Sequence, residues 1–138
     1  MKKLGLDLGN KTLGLAVSDE LNMFARGVET FRFEDKDFEK ALEYTLLQIT
    51  KYNIDVVVLG LPKNMDGSIG EQAQICLDFK KQITERSNVS IVLWDERLTS
   101  KMASNMMVSQ NLKRNKRKKD IDKMAATIIL QGYLDSIR

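Results

Sequence analysis

Carboxylates inside or at the ends of apolar segments are the side chains of this 138-residue chain best suited to chemistry. Asp7 lies within the alternating segment KLGLDLG, and Asp95 and Glu96 follow the apolar run VSIVLW. A buried charge is costly unless it is paired or binds a metal, which favours a functional role for Asp7. The structural alternatives are backbone N–H bonds in the following turn, or an ion pair with Lys11 or Arg97.

Two more acids, Asp120 and Asp122, stand before an apolar helical pattern. Asp120 suits the N-cap position, because its side chain can accept bonds from free N–H groups and complements the helix dipole. Asp122 would then lie in the first turn, on the stripe that also carries Ala126 and Ile129. Spacing alone leaves a structural and a functional role of Asp122 equally open. The same is true of Glu96, since the basic residue that follows it could form a local ion pair.

The chain contains no histidine and a single cysteine, Cys76. The lack of histidine excludes histidine-based acid–base chemistry, zinc sites with histidine ligands and Ser-His-Asp catalysis. A metal site would have to be built from carboxylates, which favour hard divalent ions such as Mg²⁺ or Mn²⁺. One cysteine cannot form a disulfide framework, which agrees with a reducing compartment.

A dense basic run stands directly before Asp120. Six of the seven residues at positions 113–119 are basic, namely Lys113, Arg114, Lys116, Arg117, Lys118 and Lys119. Acidic residues outnumber basic ones in the rest of the chain, so the net charge of +3 depends on this run. Such local charge is typical of a contact with a polyanion. The alternative, a solvated loop without a ligand, is the more common outcome for charged runs in general.

An α/β arrangement must position these acids, because strand and helix patterns alternate along the chain. The segments KLGLDLG and LGLAVS both alternate with period two, and the turn residues at 9–12 separate them, which predicts a β-hairpin. In that hairpin Leu8 pairs with Leu13, and Asp7 pairs with Gly14. Asp7 would therefore share its face of the sheet with small residues.

The later segments predict further strands and helices. The predicted strands cover residues 28–33, 55–60 and 89–94, and the predicted helices cover residues 37–52, 71–86, 99–110 and 120–137, with the basic run as a loop between the last two. The expected fold is a mixed β-sheet, antiparallel at its start and parallel afterwards, flanked by helices in a single domain over residues 1–138. Ligands gather outside the carboxyl ends of parallel strands in such sheets.

No apolar run approaches the roughly 18–20 residues that a membrane span requires. The N-terminal segment MKKLGLDLGNK resembles a signal peptide in its two lysines, but its apolar stretch breaks at Asp7 and no cleavage site follows. We therefore expect a soluble cytoplasmic protein with no membrane partner.

Four segments resemble one known family in their order and spacing. They are GLDLGNKTLGLAVSD, VVLGLPKNMDGSIGEQA, DERLTS and DIDKMAATIILQGYLD. The chain resembles the YqgF/RuvX family of bacterial proteins, which are described as Holliday junction resolvases and as nucleases of pre-16S ribosomal RNA. The resemblance covers essentially the whole chain and implies a ribonuclease H-like fold with nuclease activity.

The resemblance implies three catalytic and metal-binding acids, Asp7, Glu96 and Asp122, which would hold Mg²⁺ or Mn²⁺. Two ions held in this way can clamp the attacking water and the leaving oxygen of a phosphodiester. Lys11 stands where many members have arginine, a change that keeps the charge and loses bidentate phosphate geometry. Beside these acids, the basic run together with Lys11 and Arg97 becomes an expected nucleic-acid-binding surface, which would set affinity and salt dependence.

The leading hypothesis is a metal-dependent endonuclease that acts on structured nucleic acid, either precursor rRNA or branched DNA. A nucleic-acid-binding module of the same fold with little or no catalysis is the alternative. A phosphotransferase related to sugar kinases is disfavoured, because those enzymes need a second comparable domain. The sequence leaves open whether the substrate is DNA or RNA, and whether the protein acts as a monomer or a homodimer.

Overall fold

The computed structural model describes residues 1–96 and 114–137, with side chains described from Met124 onward in the second range. Its strands are β1 (Lys2–Leu8), β2 (Thr12–Ser18), β3 (Ala25–Arg32), β4 (Ile54–Leu61) and β5 (Ser90–Asp95). Its helices are α1 (Phe38–Lys51), α2 (Glu71–Arg86) and α3 (Arg114–Ser136). The predicted helix at 99–110 lies outside the described residues.

The described strands form one mixed sheet in the order β3-β2-β1-β4-β5. The β1–β2 and β2–β3 pairs are antiparallel, and the β1–β4 and β4–β5 pairs are parallel. This arrangement confirms the predicted α/β class and the predicted change from antiparallel to parallel pairing. The predicted hairpin register is also confirmed, since Asp7 pairs with Gly14 and Leu8 pairs with Leu13.

Helices α1 and α2 cover one face of the sheet and bury the larger apolar cluster. Strand β1 contributes Leu4, Leu6 and Leu8 to this face, since alternate side chains of a strand point to the same side. Cys76 and Phe79 of α2 pack into the same cluster. Each fully buried leucine or phenylalanine stabilises the fold by about 2 kcal/mol relative to an exposed one.

Helix α3 covers the opposite face, where small residues let it approach the sheet closely. A β-carbon added at Gly5 would lie 2.8 Å from the carbonyl oxygen of Ala126 and 2.8 Å from Cβ of Leu130. Ala16 and Val58 are fully buried against the same helix. Asp7 follows Gly5 by two residues and therefore lies on this small-residue face.

The orientation of α3 follows from the contacts of two positions in its second half, Ala126 and Gln131. Ala126 lies above Gly5, whereas Gln131 accepts a bond at 2.8 Å from the backbone N–H of Ala25, at the start of β3. Ala25 pairs with Ser18, at the end of the strands that is furthest from Asp7. Helix α3 therefore begins near the carboxyl ends of β1, β4 and β5 and runs toward the end of the sheet where these strands start.

Helix α3 begins earlier than predicted. It starts at Arg114, so the predicted loop at 114–119 is helical and the predicted N-cap role of Asp120 is wrong. Lys and Arg are among the better helix formers, and neither glycine nor proline interrupts positions 114–131. A long helix whose later turns pack on the sheet can extend through such residues despite the repulsion between their charges.

None of the helices in the described ranges has the length and apolar character needed to span a bilayer.

Candidate active site

Asp7 lies at the carboxyl end of β1, one residue before the strand ends. Its neighbour on β2 is Gly14, and its side chain is half-buried. On β1 itself the preceding residue of the same face is Gly5. The carboxylate therefore stands on a part of the sheet where its neighbours along and across the strand have no side chain.

Glu96 follows the last residue of β5 and is only 7% exposed. Its backbone N–H donates to the carbonyl of Leu61 at 3.1 Å, which continues the β4–β5 pairing by one step. A β-carbon added at Gly60 would lie 2.5 Å from both Cδ and Oε1 of Glu96. The carboxylate of Glu96 thus lies directly on the backbone of Gly60, in space that any other residue would fill.

Strand register brings Asp7 and Glu96 together. Leu6 pairs with Leu59 in the parallel β1–β4 ladder, so the next position along puts Asp7 beside Gly60. Paired strands lie about 4.8 Å apart. Asp7 is therefore next to Gly60 on the neighbouring strand, and the Glu96 carboxylate lies over Gly60 on the same face of the sheet. Acids at the carboxyl ends of parallel strands are expected to meet in this way.

The pKa of Cys76 also reflects the closeness of Asp7 and Glu96. The pKa of this thiol is raised from 9.0 to about 12, first by burial and then by the negative charges of Glu96 and Asp7. Cys76 belongs to α2, under the opposite face of the sheet. Both carboxylates thus lie within electrostatic reach of the same buried atom.

Asp122 lies in α3, four residues before Ala126. Its side chain, like that of Asp120, lies outside the described part of the structure. Arg97 and Lys113 lie outside the described residues altogether. The site roles of Asp122, Arg97 and Lys113 therefore stay predictions.

The predicted basic contacts fall into two groups. Lys11 is exposed in the turn between β1 and β2, at the edge where Asp7 stands. Arg114 and the four basic residues at 116–119 belong to the first turns of α3, although their side chains are not described. Along the helix axis, position 119 lies about 5 Å before position 122, and position 114 lies about 12 Å before position 122. The basic run therefore lies on the part of α3 furthest from the Gly5 contact.

The donor set suits a hard divalent ion, because the chain has no histidine and two carboxylates converge here. Within residues 1–96 and 124–137, no group of three acids, histidines or cysteines is close enough to hold a metal. A third carboxylate ligand beside Asp7 and Glu96 would have to come from the rest of the chain.

Gly60 is the site residue that sequence reasoning missed. Its signal was present, since a glycine ending the apolar run DVVVLG marks a place where another group approaches the strand closely. Nothing in the sequence says that the approaching group is Glu96, because that contact depends on the pairing of β4 with β5.

One known family matches this sequence over nearly its whole length. It is the family described as "RuvX: Holliday junction resolvase", and the match spans residues 1–136. The chain belongs to this family. A RuvX relative from Bacillus subtilis (strain 168) is 48% identical over 137 residues, and one from Bacillus licheniformis is 49% identical over 138 residues. Each match covers 99% of both chains, and both relatives carry the name "Putative pre-16S rRNA nuclease".

Two solved structures share the fold of this RuvX chain. A fowlpox virus resolvase in complex with Holliday junction DNA matches with a TM-score of 0.63 and 18% identity, over 99% of each chain. T. thermophilus RuvC in complex with a Holliday junction substrate matches with a TM-score of 0.61 and 17% identity, over 99% of this chain and 96% of that one. These likenesses confirm the predicted ribonuclease H-like fold.

The contact between Gly60 and Glu96 can be measured as a coupling free energy. We expect Gly60→Ala to destabilise the fold by about 1–3 kcal/mol, because the added methyl group overlaps the Glu96 carboxylate. In a Glu96→Ala background the same change should cost at least about 1 kcal/mol less. Urea denaturation of the wild type, both single variants and the double variant gives the four free energies of unfolding. Additive costs would contradict the contact.

The raised pKa of Cys76 predicts a loss of stability at alkaline pH. Above pH 9.0 the unfolded thiol loses its proton, whereas the folded thiol keeps it up to about pH 12. The thiol's contribution is therefore complete below pH 9 and falls by up to about 1.4 kcal/mol per pH unit above it. Urea denaturation of the wild type and Cys76→Ala from pH 7 to 10.5 isolates this effect. A difference between the two proteins that does not change with pH would contradict the assignment.

Proposed function

We propose that this chain is a divalent-metal-dependent endonuclease that hydrolyses phosphodiester bonds in structured nucleic acid. The observation that carries the proposal is that the Glu96 carboxylate lies over Gly60 of β4, with Asp7 beside it at the end of the parallel strand β1. Membership of the RuvX family supports a hydrolase that acts on nucleic acid. Carboxylates in a histidine-free chain support metal-assisted hydrolysis in preference to histidine-based chemistry.

Asp7, Glu96 and Asp122 are the proposed ligands of the metal. The direction of α3 supports the third member, since position 122 precedes Ala126 by about 6 Å along the helix. Asp7 lies about 7 Å beyond Gly5 along β1. Positions 7 and 122 therefore lie at a similar distance from the contact between Gly5 and Ala126, toward the same end of the strands. Mg²⁺ or Mn²⁺, when bound, activates a water and stabilises the leaving oxygen of a phosphodiester. No side chain of β4 separates Asp7 from the Glu96 carboxylate over Gly60, so both acids would hold the same ion.

The basic run at the start of α3 is the proposed site for the nucleic-acid backbone. Its six basic residues, with Lys11 and Arg97, would contact phosphates near the acids. Contacts of this kind set affinity and salt dependence without reading sequence. They therefore suit a nuclease that selects its substrate by shape.

Two substrates are proposed for this site. The names of the curated relatives support processing of the ends of pre-16S rRNA in the bacterial cytoplasm. The family description and the two resolvases of similar fold support cleavage of Holliday junctions. Symmetric cleavage of a junction needs two acid sites and hence a homodimer, whereas rRNA processing needs one. The substrate that is cut, and the oligomeric state at which it is cut, distinguish these proposals.

Replacement of Asp7 tests the catalytic assignment. We expect Asp7→Asn to lower cleavage of a labelled four-way junction or precursor rRNA fragment by at least about 100-fold in Mg²⁺ or Mn²⁺, because a neutral amide would hold the ion that activates water and stabilises the leaving oxygen more weakly. Binding, measured by fluorescence anisotropy in EDTA, should change little. Asp95→Asn is the matched control, since Asp95 is the neighbouring acid on β5 and points to the other face of the sheet.

Three outcomes of this assay are informative. Cleavage lost in Asp7→Asn and retained in Asp95→Asn supports the nuclease. Equal cleavage by the wild type and Asp7→Asn identifies a contaminating activity. Binding without cleavage by the wild type in either metal favours the alternative, a binding module of the same fold.

The basic run has a separate test. Replacing Lys116, Arg117, Lys118 and Lys119 by glutamine should weaken binding to all nucleic-acid sequences alike, because each phosphate contact releases counterions. The slope of log K against log salt should fall by about 0.7–0.9 for each phosphate that the variant no longer neutralises. Circular dichroism checks that α3 keeps its helical content. An unchanged slope in a folded variant would refute this assignment.

A further inference from the structure

The connection between β3 and α1 carries a lysine to the edge of the sheet where Asp7 stands. The backbone N–H of Phe33 donates to the carbonyl of Lys11 at 2.9 Å, and that of Lys36 donates to the carbonyl of Asn10 at 2.7 Å. These two bonds hold the β3–α1 connection against the β1–β2 turn. The backbone of Lys36 therefore lies beside the turn that contains Lys11. This turn comes just after Asp7, at the end of β1.

The backbone of Lys36 is in a conformation that lysine rarely adopts. Its φ angle is 62°, in the left-handed region where the β-carbon approaches the backbone and glycine or asparagine is preferred. A lysine held there costs stability that glycine would not, and such positions cluster at binding and catalytic sites. Stability of the turn therefore does not account for lysine at position 36.

The ion pair of Lys36 does not account for it either. Its Nζ lies 4.0 Å from Oε1 of Glu71, and the two side chains are 57% and 83% exposed. An exposed pair at this distance is strongly screened and contributes little to folding. The ammonium group is therefore available to an anion at this edge.

We propose that Lys36 and Lys11 together bind a backbone phosphate of the nucleic acid beside Asp7. The backbone of Lys36 is bonded to the β1–β2 turn, and its Nζ lies beside Glu71 at the start of α2. Lys11 and Lys36 therefore belong to two backbone segments that are bonded to each other just after Asp7, where β1 ends. Lys11 and Lys36 would hold the phosphate backbone in addition to the basic residues of α3. Two separate contacts of this kind would fix the direction in which the nucleic acid runs past the acids. The inference rests on the proposed function for the presence of nucleic acid at this edge.

Fluorescence anisotropy in EDTA with a labelled four-way junction and a labelled rRNA hairpin measures this contact without cleavage. Lys36→Gln should bind each probe about threefold to tenfold more weakly, and its salt slope should be about 0.7–0.9 smaller. Lys36→Arg should bind like the wild type. Lys51→Gln is the matched control, since Lys51 is an exposed lysine at the far end of α1. It should leave both the affinity and the slope unchanged.

Lys36→Gly separates the charge from the backbone conformation. Glycine relieves the left-handed strain, so this variant should melt at the same or a higher temperature than the wild type and still bind as weakly as Lys36→Gln. Binding by Lys36→Gly equal to that of the wild type would overturn the proposal. Equal affinities and slopes for Lys36→Gln and Lys51→Gln would also overturn it.

The inference and the nuclease proposal fail in different ways. A wild type that binds but does not cut, with a salt slope that depends on Lys36, refutes the nuclease and supports the phosphate contact. Cleavage that depends on Asp7, with a slope that does not depend on Lys36, refutes the phosphate contact alone.

Discussion

The close approach between the Glu96 carboxylate and the backbone of Gly60 is the contact on which the site depends. The negative charges of Asp7 and Glu96 repel each other across β4, and the repulsion is larger in a partly buried setting than in water. Strand pairing imposes this arrangement, because Glu96 follows directly from the β4–β5 ladder and Asp7 from the β1–β4 ladder. The core under α1 and α2 stabilises both ladders, so the energy of folding holds the carboxylates together.

Small residues on the other face allow the third element to join. Gly5 and Ala16 let α3 lie almost on the sheet, and Ile129 and Leu130 are fully buried there. The same lack of side chains lets the Glu96 carboxylate lie over Gly60, beside Asp7 where β1 ends. Packing of α3 and the approach of Glu96 to Asp7 therefore share one cause, which is the small residues on this face of β1, β2 and β4.

The helical conformation of residues 114–119 changes the physical description of the basic run. The backbone of these residues continues a helix whose later turns pack on the sheet, and is not a loop. The backbone of α3 is continuous from Arg114 through Asp122 to the buried turns over Gly5. One element thus connects the proposed phosphate contacts, the proposed third acid and the core. Two backbone bonds join the turn of Lys11 to the connection of Lys36.

The sequence by itself determined the α/β class, the hairpin register that pairs Asp7 with Gly14, the bounds of α2 and the family, because these depend on local periodicity, turn residues and motif spacing. It misplaced the start of α3, since charge density argued for a loop while helix propensity and the anchoring of later turns favoured a helix. Only the tertiary structure decided that Glu96 lies on Gly60 beside Asp7 and that Lys36 lies beside Lys11. Those contacts join residues far apart in the chain, and strand order, which no local pattern encodes, brings them together.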